Sequence, residues 1–111
     1  MAGRHQKYPP GSLVLLRQLD KTGNIATIWG GRVLKAAPEA LTVLAIEMVY
    51  QRDEWHCIGE FRTITAPPHK EPYKWWFPRL LAPFEASDVD LKAVPVIQAA
   101  LAGYEGQSAA A

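Results

Sequence analysis

The alternation of apolar and polar positions divides the chain into short runs of strand period, separated by turn chemistry. Ser12 to Leu19 is a dense aliphatic run, and Asp20-Lys21-Thr22-Gly23 comes next as a turn in which Gly23 is free to take a positive φ. The return strand begins at Asn24 and carries Ile25, Ile28 and Trp29, which completes a first hairpin. Gly30-Gly31 interrupts the return and predicts a bulge or sharp bend of the kind small barrels need in order to close, with Arg32 to Lys35 continuing the strand. Ala36 to Ala40 contains Pro38 and reads as a loop.

Leu41 to Tyr50 is apolar on both alternating sets, as expected of a strand covered on both faces, and its β-branched residues favour strand over helix. Gln51-Arg52-Asp53-Glu54 has the polarity and length of a hairpin turn. Beyond it Trp55, Cys57, Gly59 and Phe61 alternate with His56, Ile58, Glu60 and Arg62, which predicts a half-buried strand with the aromatic set inward. Ala66 to Pro72 holds three prolines and reads as an irregular loop, Tyr73 to Phe77 as a short aromatic strand stopped by Pro78, and Pro83 interrupts the next stretch. Ser87 suits the cap of a short helical turn with Asp88 and Asp90 at its positive end. A helix starting near Pro95 would place Val94, Ile97 and Leu101 on one face and stop at Gly103.

This order of elements predicts a mainly β fold: a small SH3-like or OB-like half-barrel of about five antiparallel strands with a short C-terminal helix. Residues 1–11 are expected to form a flexible arm, 12–104 a single β-rich domain, and 105–111 a disordered tail. The opening YPPGSLVLL is compatible with an SH3-like start.

With 111 residues, 49% of them hydrophobic, the chain can bury one compact core. Its longest apolar stretch, Leu41 to Tyr50, is far shorter than the ~20 residues that span a bilayer. The expectation is a soluble, cytoplasmic protein with no membrane partner. Cys57 is the sole cysteine, so an intramolecular disulfide is ruled out. The net charge of +1 conceals an uneven distribution: residues 1–35 hold six Lys/Arg against Asp20 alone, and the remainder holds six basic and ten acidic residues. A basic segment of this kind can attract phosphate or an acidic protein face, or simply solvate outer strand faces.

Catalytic chemistry is sparse. His5, His56 and His69 have no ligand-like spacing, and His56 and Cys57, as strand neighbours, point to opposite faces and cannot act as a nucleophile–base pair. Gly30-Gly31 lacks the lysine and helix start of a phosphate cradle. No catalytic residue, resident metal or cofactor is expected. The order RDEWHCIGEF, then YKWWFPRLLAPF, then DVDLKAV nevertheless resembles, over about half the chain, the central part of a β-barrel family of nucleoside-phosphate hydrolases. In that family a Tyr/Trp-rich strand precedes an aspartate-rich segment that binds divalent metal. The resemblance implies metal-dependent hydrolysis through Asp88 and Asp90, although little acidic lies beyond Asp90 except Glu105.

The aromatic strand is the main functional signal. Tyr73, Trp75 and Phe77 share one face and Lys74 and Trp76 the other, so both faces carry a large ring. A domain this small predicts one exposed aromatic beside Lys74 and Arg79, an arrangement typical of interface hot spots and also of single-strand stacking platforms. The expected function is a non-enzymatic binding module, an adaptor or inhibitor, whose partner is another protein. Its contact would comprise Tyr73, Lys74, Trp75, Trp76 and Arg79, with Arg32 and Lys35 at the edge. A nucleic-acid partner using the basic N-terminal third, self-association through a strand edge, and metal-dependent hydrolysis of nucleoside phosphates are the alternatives.

Overall fold

A computed structural model describes residues 8–20, 22–37, 40–66 and 76–110, excepting the side chains of 66, 76–78 and 107–110. Five strands, β1 (Leu13–Leu19), β2 (Ile25–Ala37), β3 (Ala40–Gln51), β4 (Glu54–Ala66) and β5 (Trp76–Leu80), precede α1 (Asp88–Leu91) and α2 (Ala93–Ala110). The fold is mainly β. The strands form one unclosed antiparallel sheet in the order β4-β3-β2-β1-β5, with the helix at the C-terminus.

The turns arise from local chemistry. The Asp20 carboxylate accepts from the Thr22 and Asn24 amides at 2.8 and 3.0 Å, while Gly23 takes φ 87°. Arg52 and Asp53, at φ 53° and 63°, make the mirror-image turn whose twist suits a two-residue hairpin. β2 runs on to Ala37 and β3 starts at Ala40, so most of the loop expected over 36–40 is strand.

Both alternating sets of β3 are indeed used. Leu41, Val43 and Ala45 join Tyr8, Val14, Leu16 and Val33 in one cluster. Ile46 and Met48 join Leu15, Trp55, Ala93, Ile97 and Leu101 in a second cluster, beneath α2. Tyr8 is buried, and the Gly11 amide donates to the Val33 carbonyl at 2.8 Å, so the end of the expected arm is fastened to β2. In β4, Trp55 is buried and Cys57 and Phe61 lie partly buried on the helix side, whereas His56, Ile58, Glu60 and Arg62 are exposed.

The diglycine has a different role from the expected bulge. β1 and β2 stay in register across Gly30 and Gly31, and the shift in the β2–β3 pairing falls between Val33 and Lys35 instead. A Cβ on Gly30 would overlap the Met48 sulfur and sit 2.8 Å from Ile97 Cδ1, so its absence lets α2 settle onto the sheet. A Cβ on Gly31 would overlap the Leu44 carbonyl oxygen of the neighbouring strand.

Two proline and glycine signals also read differently in three dimensions. β5 continues through Pro78, which pairs in register with Leu16. Proline is tolerated there because, among the described residues, β5 is an edge strand and one side of its backbone has no strand to bond. α2 begins at Ala93 and passes Gly103 to reach Ala110, into the segment expected to be a tail. Ala93, Ile97 and Leu101, spaced by four, form its buried stripe, so the helix is held by packing that outweighs the roughly 1 kcal/mol cost of an interior glycine.

Gly31→Ala is expected to cost about 3 kcal/mol in urea unfolding and Gly30→Ala less, since β3 backbone must move in the first case and side-chain tips can shift in the second. Equal costs would contradict this packing. Hydrogen bonds, chiefly from the Thr22 hydroxyl and the Asn24 amide, hold the Asp20 carboxyl below its ordinary 3.8. A folded value depressed in this way means the contribution is complete above 3.8 and fades as pH falls through the lower folded value. An NMR titration of Asp20 should therefore show a midpoint under 3.8 that Thr22→Ala moves upward; a midpoint at or above 3.8 would contradict the turn geometry.

Candidate functional site

The segment between β5 and α2 is fixed to the sheet at two points. Ser87 caps α1, its hydroxyl accepting from the Asp90 amide at 3.1 Å, as its sequence position suggests. Asp90 is the buried acid of the fold among the described residues, and both of its carboxylate oxygens accept from Arg17 Nη2 at 2.9 Å. From the other side, the Trp55 indole donates to the Val89 carbonyl at 2.7 Å, and its ring tilts against Tyr50 with centroids 5.1 Å apart. One short turn thus links β1 to β4, whose places in the sheet are separated by β3 and β2.

The loop ahead of this turn carries an unexpected feature. Ala82 to Ala86 folds into tight turns in which the Ala82 carbonyl accepts from the Glu85 and Ala86 amides at 3.1 and 3.2 Å. Arg79, exposed on β5, donates from Nη1 to the Glu85 carbonyl at 3.0 Å and braces the loop. Phe84 stands at the tip with φ 72°, and its side chain is fully exposed. Left-handed backbone costs a non-glycine residue roughly 1–2 kcal/mol, and an exposed phenyl ring forgoes the burial worth about 2 kcal/mol. Sequence reading missed Phe84 because it belongs to no periodic set. The available signal was an aromatic between Pro83 and Glu85 in a stretch already broken by proline.

The expected contact residues are only partly brought into view. Tyr73, Lys74 and Trp75 lie outside the described residues. Trp76 opens β5 opposite Gln18 in register, its backbone alone being described. Lys35 is exposed on β2. Arg32 forms an ion pair with Glu105 of α2, just as Arg17 does with Asp90. Two arginines of the basic N-terminal third are thereby matched by acids from the C-terminal segment, and the charge asymmetry read along the chain is partly cancelled in space.

The residues that would serve hydrolysis do not fit a divalent metal. Asp88 and Asp90 lie in a helical turn, both Asp90 oxygens are occupied by Arg17, and among the described residues no group of three or more His, Cys, Asp or Glu could hold a metal ion. His56 is exposed near Glu54, and Cys57 lies on the other face, where burial raises the pKa of its thiol. Among the described residues no helix is long and apolar enough to cross a membrane.

Compared with known proteins, the chain matches no family model, no curated protein and no solved structure. The site must be interpreted from its own chemistry.

Proposed function

We propose that this chain is a non-enzymatic protein-binding module that presents Phe84 and Arg79 as a preformed aromatic–cationic knob. One observation carries the reading: a fully exposed phenyl ring on left-handed backbone, in a loop braced by Arg79. Monomer stability favours glycine at such a position and gives no reason for a large apolar side chain. Strain of this kind persists where the surroundings over-determine it and clusters at binding and switch sites. The brace also lowers the entropy lost on docking, because the loop need not be ordered by its partner.

The complementary surface is an apolar pocket sized for a phenyl ring with a carboxylate or carbonyl at its rim for the guanidinium. Aromatic and arginine side chains supply much of the energy at protein interfaces. The reading keeps the expected partner class and Arg79, and it supplies an aromatic other than those of the Tyr73–Trp76 run. Nucleic acid is the less favoured partner because Arg17 and Arg32 are already paired with carboxylates.

Phe84→Gly separates binding from folding. It should leave the melting temperature unchanged or raise it, since the backbone strain is relieved, while abolishing recovery of the bound protein when the chain is used as bait. Recovery by the unmodified chain should survive nuclease treatment and change little with salt. A Phe84→Gly variant that melts lower, or that recovers the same proteins as the unmodified chain, would contradict the proposal.

A further inference from the structure

Between β4 and α2 lies an open groove of about 610 Å³, lined in part by Gly59, Glu60, Phe61, Gly103 and Tyr104. Its formation can be traced to the backbone. β4 carries an irregularity opposite the Ala45–Glu47 stretch of β3, and Gly59 takes φ 78° within it, a conformation that resists a side chain. The result is a bare stretch on one wall. On the other wall Gly103 stands in mid-helix with nothing within 4 Å of where a Cβ would lie, so among the described residues no contact demands glycine there. Phe61 and Tyr104 meet across the groove as tilted rings 5.0 Å apart, and Tyr104 remains partly exposed.

We infer that this groove receives the Phe84–Arg79 knob of a second copy of the chain. The inference rests on the proposed binding role of Phe84 and names its partner. Two features match. The groove offers the edges and faces of Phe61 and Tyr104 to an incoming phenyl ring, and aromatic groups favour offset or edge-to-face approach. Glu60, which is exposed, lines the groove together with Phe61 and Tyr104, and the Arg79 guanidinium is bound at the Glu85 carbonyl, next in the chain to Phe84. Groove and knob thus each carry aromatic surface and one charged group, and the two charges are of opposite sign. Phe84 is fully exposed among the described residues, and the contact is made between molecules. Knob and groove are different surfaces, so one contact alone is heterologous and propagates unless a second, reciprocal contact closes a dimer.

Charge reversal tests the contact. Sedimentation velocity over a concentration series should show the mass of the unmodified chain rising above that of a monomer. Glu60→Lys should weaken association at least tenfold by placing like charges together, and Glu60→Asp, which keeps the charge, should retain it. Circular dichroism melts establish that each variant is folded. A chain that stays monomeric at every concentration, or an association that Glu60→Lys leaves unchanged, would overturn the inference. Those outcomes leave the Phe84 reading standing if Phe84→Gly still loses a different bound protein while Glu60→Lys retains it. Loss of no partner by Phe84→Gly would remove both.

Discussion

The partly buried pairing of Arg17 with Asp90 sets the position of the whole segment C-terminal to the sheet. Without it α1 would be a four-residue helix, far too short to persist alone in water. With it, and with the Trp55 indole on the Val89 carbonyl, the turn becomes a fixed link between β1 and β4. α2 leaves from that link and lays Ala93, Ile97 and Leu101 on the sheet. Gly30 permits the approach by leaving room for Ile97. The loop carrying Phe84 is bounded by the same link on one side and by β5 on the other, so the strained tip rests on two anchored ends.

The chain's uneven charge acquires a structural meaning in this arrangement. Basic residues concentrate in the N-terminal third and acidic ones beyond it, and folding brings Arg17 to Asp90 and Arg32 to Glu105. The first of these pairs is largely withdrawn from water and directs where the C-terminal segment docks. The second is exposed and contributes little stability by comparison. What looked like an electrostatic footprint for an outside partner is in part the means by which the two ends of the chain recognise each other.

Much of the fold was legible because it depends on local patterns. The two-sided apolarity of Leu41 to Tyr50, the inward set Trp55, Cys57 and Phe61, and the hairpin at Arg52-Asp53 all depend on periods and turns that a linear reading detects. The failures share a cause: each was decided by distant residues. Gly30-Gly31 answers to Ile97 and to the β3 backbone, Pro78 is admitted because β5 lies at the sheet edge, and the helix outlasts Gly103 because Ile97 and Leu101 anchor it. Phe84 was illegible for the opposite reason. Its significance is that none of the described residues covers it, and a missing contact leaves no periodic trace in sequence. The aromatic run Tyr73–Trp75 lies outside the described residues.

The most direct test of the account is a double-mutant cycle on Arg17 and Asp90, using Arg17→Met, Asp90→Asn and the pair, with stability read by urea unfolding. A partly buried, hydrogen-bonded ion pair that positions the helical segment should give a coupling energy of about 2 kcal/mol, with α2 amides exchanging faster in each single variant. A coupling near zero, with α2 protection unchanged, would mean that the C-terminal segment is placed by packing alone and that the link between Arg17 and Asp90 is incidental.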